Sequence, residues 1–174
     1  MHPSSYQNMQ YFVKKYLDSL KTKKINILDV GSCDVNGTYR DLFQNKNWNY
    51  TGLDMENGRN VDVVPENMYD WREIEDAQFD VVISGQAFEH IEFFWLTIKE
   101  ISRIMKNNAF LCIIAPSSGY EHRYPVDCWR FYPDGMRSLS KYANLKTLET
   151  FADWDDKNKI IDEVWKDCVL IARK

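Results

Sequence analysis

The chain has 174 residues, a hydrophobic fraction of 44% and a formal net charge of −4, which predicts one globular domain with a sizeable core. The acidic balance makes nucleic acid an unlikely partner, because contacts to phosphates need a basic face. The first residues are too polar for a signal peptide, and no apolar run approaches the roughly 18 residues that span a bilayer. We therefore expect a cytoplasmic protein with no membrane partner.

Hydrophobic periodicity predicts alternating helices and strands. An N-terminal helical segment covers residues 1–21, with Ser4 or Ser5 as its cap. The predicted strands are 25–30, 50–53, 61–64, 79–84, 110–115, 145–151 and 164–172. The predicted helices after the first are 38–44, 93–105 and 133–142.

This alternation predicts an α/β fold with a Rossmann-like, mainly parallel sheet and helices on both faces. No helix separates the last two strands, so they are expected to form an antiparallel C-terminal hairpin at one edge. Only residues 55–60 separate the second strand from the third, which is too short for a crossover helix. Either this segment is a bare loop, or the third strand is not a parallel neighbour of the second.

The stretch Ile25–Asp54 has the layout of a nucleoside-binding half-site. An apolar strand ends in the turn Asp29-Val30-Gly31, and a second strand ends in Asp54. Gly31 lets the backbone turn sharply and approach a ligand. Asp54 is placed to accept hydrogen bonds from ribose hydroxyls, so the sequence predicts a ligand that contains a ribose.

With these motifs, the chain resembles the class I S-adenosylmethionine-dependent methyltransferases over about Ile25–Arg173. LDVGS resembles the first family motif, YTGLD the strand that ends in the ribose-binding acid, and FDVVISGQAFEHI the fourth strand with its loop. The stretch HRYPVDCWRFYPDG is similar to small methyltransferase-type-11-like enzymes of bacterial polysaccharide and sugar-modification clusters. The resemblance implies S-adenosyl-L-methionine as cofactor, and in-line methyl transfer to a small-molecule or saccharide acceptor, with a hydroxyl as the expected target.

Two features depart from the family pattern. Cys33 and Val35 stand where later glycines of the first motif are usual, and the segment after Asp54 is short. A cofactor-binding or partner-binding module without catalysis is therefore an alternative. A nicotinamide-dependent dehydrogenase is a second alternative, disfavoured by the missing G-x-G-x-x-G and by the terminal hairpin.

The cofactor-binding residues follow from the resemblance. It places Asp29 and Gly31 beside the methionine part, Asp54 on the ribose, and Gly85 where the backbone approaches the sulfonium. The full expected set is Asp29, Gly31, Ser32, Asp54, Met55, Asn67, Met68, Ser84, Gly85 and Gln86. Glu66 and either Tyr69 or Trp71 are further adenine candidates, with ordinary loop or core roles as the alternative.

Residues 116–133 are the candidate active-site insert, because they leave an apolar strand at the edge where α/β sheets bind ligands. His122 is the first candidate for a general base, since the unperturbed pKa of imidazole lies near neutrality. Asp127 is the second. The expected acceptor-binding residues are Arg123, Tyr124, Trp129, Arg130 and His90, with an arginine available for an anionic group.

The remaining chemistry-bearing residues carry weaker expectations. Glu89 and His90 either position the acceptor or serve as a helix-start acid and a structural histidine. The cysteines form no C-x-x-C pair, so the sequence predicts no metal site. These cysteines are Cys33, Cys112, Cys128 and Cys168.

Overall fold

The computed structural model describes residues 2–154 and 164–174. Six strands form one sheet: β1 (Ile25–Val30), β2 (Trp48–Leu53), β3 (Phe79–Gly85), β4 (Met105–Pro116), β5 (Lys146–Ala152) and β6 (Asp167–Arg173). Their order is β2-β1-β3-β4-β6-β5. The first four are parallel, whereas β6 runs antiparallel to both β4 and β5. The predicted α/β fold with a C-terminal antiparallel pair is confirmed.

Helices cover both faces of the sheet, as predicted. The N-terminal segment is the α-helix α1 (Pro3–Phe12), continued by a π-helical turn and a 3-10 turn as far as Leu20. The predicted cap at Ser4 or Ser5 is wrong, because the helix begins at Pro3 and both hydroxyls bond to side chains of other segments. The N-terminal segment packs on one face, and α2 (Phe94–Ile104) with α3 (Pro133–Tyr142) packs on the other. Successive strand side chains point to opposite faces, so Ile27 joins the α1 core and Leu28 joins the α2–α3 core.

The predicted helix at 38–44 is wrong. The structure forms only a 3-10 turn there, Arg40–Phe43. The Arg40 guanidinium instead donates to the side chains of Asn60 and Asp62. A segment this short cannot offset the cost of helix nucleation, so these tertiary contacts decide its shape.

The predicted third strand at 61–64 is also wrong. It reduces to a single parallel bridge between Leu53 and Val63. The Gly52 carbonyl accepts from the Asp62 and Val63 amides at 2.8 and 2.9 Å, and the Gly52 amide donates to the Asp62 carboxylate at 2.8 Å. The side chain of Asp62 thus takes a place that a ladder bond would fill. Residues 55–60 are a loop, the first of the two alternatives.

The carboxyl ends of the four parallel strands lie at one edge of the sheet, where open α/β folds bind ligands. These ends are Val30, Leu53, Gly85 and Pro116. Every segment that was predicted from the sequence to form a site lies at the carboxyl end of one of these strands or in the connection that follows it. Among the helices of the described residues, none has the length and apolar character needed to cross a membrane.

Candidate functional site

Hydrogen bonds join the turn after β1 to the end of β2. The Cys33 amide donates to Asp54 Oδ2 at 2.8 Å, and the Met55 amide donates to Asp54 Oδ1 at 2.7 Å. The Ser32 hydroxyl donates to the Asn60 carbonyl at 3.0 Å, and the Asn60 side-chain amide donates to the Ser32 carbonyl at 2.8 Å. Each carboxylate oxygen keeps a second lone pair, so Asp54, which is partly exposed, retains acceptor capacity for a ligand.

Gly31 is the tight point of this turn. Its φ is +79°, and a Cβ added there would collide with the Cβ of Ala87. Any other residue would therefore face both backbone strain and a clash. The contact brings the segment after β3 directly against the turn after β1.

Asp29 lies buried beneath the same turn. Its Oδ2 accepts a hydrogen bond from the Tyr50 hydroxyl, and its Oδ1 has no hydrogen-bond partner within the described part of the chain. Burial raises the pKa of Asp29 to about 7, although the Tyr50 hydrogen bond opposes this. Asp29 thus presents an unpaired, buried acceptor below the predicted cofactor position.

The polar side chains at the end of β3 and just after it form hydrogen bonds with other parts of the protein. Ser84 is fully buried and its hydroxyl donates to the Val30 carbonyl at 2.7 Å. The Gln86 amide donates to Ser5 Oγ at 3.2 Å and to Asp167 Oδ1 at 2.8 Å. Ser84 thus joins β3 to β1, and Gln86 joins the segment after β3 to α1 and β6. Their contacts to a cofactor stay predictions.

Gly85 packs against the buried ring of Tyr39, with which a Cβ would collide. The absence of a side chain at Gly85 therefore makes room for an aromatic ring of this protein, and the approach of its backbone to a sulfonium stays a prediction. The hydroxyl of Tyr39 is in turn hydrogen-bonded to the hydroxyl of Ser5. This arrangement fixes the end of β3 against α1.

The predicted adenine residues lie in the loop before β3. Asn67 Oδ1 accepts from the Tyr69 amide at 2.9 Å, and the Met68 carbonyl accepts from Trp71 Nε1 at 3.0 Å. Trp71 is 1% exposed, so it belongs to the core. Tyr69 packs against the Phe93 ring at a centroid distance of 5.2 Å. Asn67 is exposed and Met68 is partly exposed.

The insert after β4 crosses the 3-10 turn Phe88–His90. The Glu89 carbonyl accepts from the Cys128 and Trp129 amides at 2.8 and 3.2 Å. The Phe131 amide donates to the Pro116 carbonyl at 2.9 Å. These bonds pin the loop over the segment that follows β3.

Glu89 and His90 lie under this loop, beside His122 of the loop itself. The potential ligand atoms of these three residues are all within 4.8 Å of one another. Hereafter we call them the Glu-His-His cluster. The Glu89 side chain is 1% exposed, and neither carboxylate oxygen has a hydrogen-bond partner among the described residues. Burial raises the pKa of Glu89 to about 8.

His90 is oriented by its backbone neighbour. Its Nδ1 donates to the Val126 carbonyl at 2.6 Å, while its Nε2 lies 3.6 Å from Glu89 Oε1. Burial lowers the pKa of His90. The neutral imidazole therefore directs an unprotonated Nε2 toward Glu89.

His122, the first candidate for the general base, stands beside Asp127, the second candidate. Its Nδ1 is 3.2 Å from Asp127 Oδ2, although the two atoms are not aligned for a hydrogen bond. The Asp127 carboxylate accepts from the His122 amide at 2.7 Å and from Arg130 at 2.6 and 2.8 Å. The Arg130 guanidinium holds the pKa of Asp127 well below its usual range, so Asp127 is a weak base but suited to orient His122.

The other predicted acceptor residues are more dispersed. Arg123 is 71% exposed and pairs with Glu121 at 3.0 Å, and Tyr124 is 60% exposed. Trp129 donates from Nε1 to the Glu92 carbonyl at 3.2 Å and packs edge-on to Phe94. The structure gathers His90, His122, Asp127 and Arg130 and leaves the remaining three at the surface.

Trp165 was not identified as a site residue from the sequence, and Glu89 was named only together with His90, with a helix-start acid as the alternative. Trp165, which is 8% exposed, packs on the His122 ring at a centroid distance of 4.3 Å. Its bulk also requires Gly119, because a Cβ there would collide with the indole. Trp165 comes from the segment before β6, and no local pattern connects it with the insert.

A family model described as "Methyltransferase domain" matches residues 28–113, just under half of the chain. This region covers the second half of β1, all of β2 and β3, and most of β4. It contains the turn after β1, Asp54 and the Glu89–His90 pair. A comparison with curated proteins finds no significant match.

Similar solved structures are methyltransferases with low sequence identity. The chain aligns with a Burkholderia thailandensis 1,6-didemethyltoxoflavin-N1-methyltransferase, bound to that substrate and S-adenosylhomocysteine, at TM-score 0.74 and 13% identity, covering 99% of this chain and 79% of that one. An Archaeoglobus fulgidus SAM-dependent methyltransferase aligns at 0.66 and 16%, covering 98% and 95%. The Haemonchus contortus phosphoethanolamine N-methyltransferase 2, in complex with S-adenosyl-L-methionine, aligns at 0.67 and 13%, covering 96% and 52%.

At these identities the structural likeness defines the fold, which is the Rossmann-like methyltransferase fold. Together with the family match, it supports a class I S-adenosylmethionine-dependent methyltransferase with S-adenosyl-L-methionine as cofactor. The acceptor and the roles of individual residues are taken up below.

Proposed function

We propose that residues 1–174 form a single methyltransferase domain, which transfers the methyl group of S-adenosyl-L-methionine to a hydroxyl of a small-molecule or saccharide acceptor. The observation that carries the proposal is the contact of Ala87 with Gly31. Ala87 lies against the candidate cofactor turn and precedes Glu89 of the Glu-His-His cluster by only two residues. Cofactor and acceptor sites are thereby adjacent.

The cofactor is proposed to lie along the carboxyl ends of β1 and β2. Asp54 accepts hydrogen bonds from the ribose, and the unpaired Oδ1 of Asp29 faces the methionine part beside Gly31. Met55, Asn67 and Met68 border the adenine. Ser32 supports the turn through Asn60.

The reaction is an in-line displacement. The acceptor oxygen forms a bond to the methyl carbon as the carbon–sulfur bond breaks, the sulfur keeps that electron pair, and the hydroxyl proton is lost. Because the sulfonium is already activated, the protein contributes mainly alignment and exclusion of water. The Glu-His-His cluster is proposed to contact the acceptor and promote loss of the proton, with Asp127 orienting His122.

The insert, residues 116–133, is proposed to hold the acceptor. A saccharide is favoured by the similarity of residues 122–135 to enzymes of sugar-modification clusters. The exposed ring of Tyr124 offers a face on which a sugar can rest, and the exposed Arg123 can bind an anionic group. Trp129, held against α2, forms the far wall.

Two measurements test this function. Titration calorimetry should detect binding of S-adenosyl-L-methionine and S-adenosylhomocysteine and no binding of nicotinamide dinucleotides. Transfer of a labelled methyl group should then be assayed over a panel of saccharides, sugar nucleotides and small hydroxylated compounds. Binding of dinucleotides alone would favour a dehydrogenase. Cofactor binding without transfer to any acceptor of the panel would favour a binding module.

A further inference from the structure

We propose that the Glu-His-His cluster binds a divalent first-row transition metal, with zinc(II) as the reference ion. The donor set is two imidazoles and one carboxylate. This combination suits zinc and iron(II), and as three ligands it leaves a coordination position open. Cysteine spacing in the sequence predicted no metal site, and it carries no signal for this cluster, which contains no cysteine.

The spacing of the donor atoms fits one ion. Metal bonds near 2.1 Å in a tetrahedral site place ligand atoms about 3.4 Å apart. His90 Nε2 and Glu89 Oε1 are separated by 3.6 Å, and all three donors fall within 4.8 Å. Small side-chain rotations of His122 close the remaining difference, because it lies at the mouth of the cluster with 32% of its side chain exposed.

Glu89 supplies an independent argument. A buried carboxyl group is normally hydrogen-bonded, because an unpaired one is costly. Glu89 has no such bond to either oxygen among the described residues, although the side chain is 1% exposed. The neighbouring guanidinium of Arg130 donates to Asp127 through Nη1 and Nη2. Its Nε has no hydrogen-bond partner among the described residues and does not bond to Glu89. A cation held between Glu89 and the two imidazoles would satisfy the orphaned oxygens.

The surroundings of both histidines match those of metal ligands. Metal-bound imidazoles direct their second nitrogen to a carboxylate or a backbone carbonyl, which fixes the tautomer. His90 Nδ1 donates to the Val126 carbonyl. His122 Nδ1 lies 3.2 Å from the Asp127 carboxylate without the alignment of a hydrogen bond. A small rotation of the ring would let Nδ1 donate there and leave Nε2 for the metal. Both outer partners belong to the insert, so metal binding would also order the loop over the acceptor.

The role of the metal rests on the proposed function, whereas its binding does not. An acceptor hydroxyl that takes the open position would have its pKa lowered by the cation. The proton would pass to solvent as the oxygen attacks the methyl carbon. Methyl transfer would then require the metal, while cofactor binding would not.

The test is a zinc titration of tag-free, chelator-stripped protein by calorimetry. We expect one zinc per chain with a Kd on the order of 1 µM or below. Glu89→Gln and His122→Ala should each weaken binding by more than about 100-fold, since loss of outer partners alone costs 10–100-fold. Visible spectra of cobalt(II)-loaded protein should show that each of these two variants has lost a metal ligand.

Matched controls are Glu92→Gln and His2→Phe, which remove one glutamate and one histidine outside the cluster and should bind zinc as the wild type does. Phenylalanine keeps an aromatic ring in the stack on Trp165. Thermal unfolding of every variant checks that it is folded, and the partly exposed His122 remains a test if Glu89→Gln does not fold. Zinc binding that is absent, or that survives both cluster variants, overturns the proposal. Cofactor titration in the presence of a chelator shows separately whether the proposed methyltransferase function fails.

Discussion

The backbone amide of Cys33 donates a 2.8 Å hydrogen bond to the carboxylate of Asp54. This bond joins the turn after β1 to the end of β2, at the position where the family motif usually has a glycine in place of Cys33. The Cys33 sulfur lies against Gly58, where a Cβ would collide with it. Gly58 therefore makes room for the cysteine, and the departure from the motif is accommodated by the short loop that follows Asp54.

Asp54→Asn should weaken cofactor binding by about 10- to 100-fold. The substitution removes the charge that strengthens hydrogen bonds from the Cys33 amide and from a ribose, and such bonds contribute about 1.5 to 3 kcal/mol. Calorimetry with S-adenosylhomocysteine measures the change. Asp134→Asn is the control, because the Asp134 side chain is 95% exposed. Unchanged affinity in Asp54→Asn would place the ribose elsewhere.

Two glycines with opposite surroundings give a stability prediction. Gly85→Ala should lower the free energy of unfolding by roughly 1 to 3 kcal/mol, since the new Cβ collides with the buried Tyr39 ring. Gly135→Ala, in the first turn of α3, meets nothing within 4 Å and should raise it by up to about 1 kcal/mol through helix propensity. Urea unfolding measures both. A stable Gly85→Ala variant would contradict the packing described for the end of β3.

The sheet could be predicted largely from the sequence, because strands of a buried parallel sheet are continuous apolar runs. The run predicted at 79–84 is β3, Phe79–Gly85, within one residue. The two elements predicted wrongly fall between β1 and β3. Elsewhere only bounds differ, as in β4, which begins at Met105 and not at residue 110. Between β1 and β3 the side chains of Arg40 and Asp62 replace regular structure, and such long-range polar contacts leave no periodic pattern.

The site was predictable in its parts but not in its grouping. The ends of the predicted strands gave Asp29, Gly31 and Asp54 as candidates, whose contacts to a cofactor stay predictions. In contrast, the approach of His122 to Glu89 depends on how the insert folds back, and amide bonds to the Glu89 carbonyl fix that path. Backbone bonds of this kind do not depend on side-chain identity, so the sequence carries little signal for them.

Asp29 should make stability depend on pH. Its pKa is raised from 3.8 to about 7 in the folded protein by burial, so between these values the folded chain binds more protons than the unfolded chain. The free energy of unfolding should therefore fall as the pH rises from about 4 to 7, by up to about 4 kcal/mol from this group. Asp29→Asn removes this contribution.

The measurement is urea unfolding at several pH values, without cofactor and with a chelator present. Other groups also titrate, so the quantity of interest is the difference between wild type and Asp29→Asn. We expect the free energy of unfolding of Asp29→Asn, minus that of the wild type, to increase as the pH rises. A pH-independent difference would mean that Asp29 does not change its protonation in this window.

The last prediction separates acceptor chemistry from cofactor binding. His122 lies in the Glu-His-His cluster, and Asp127 holds the His122 amide and stands 3.2 Å from its Nδ1. His122→Ala should therefore lower kcat by roughly 10²- to 10⁴-fold, the range of proton-transfer catalysis. Asp127→Asn should lower kcat less, because it removes only the charge beside His122 and part of the Arg130 pairing.

Cofactor affinity should change by less than about threefold in both variants, under 1 kcal/mol, because neither side chain is among the residues proposed to touch the cofactor. Labelled methyl transfer with an acceptor found in the panel gives kcat and KM, and calorimetry gives the affinity. His2→Phe serves as the control for removal of a histidine, because it keeps a ring in the stack on Trp165. If both variants turn over at the wild-type rate with folded protein, proton removal does not involve this cluster. Arg123 and Tyr124 at the outer face of the insert would then be the next residues to replace.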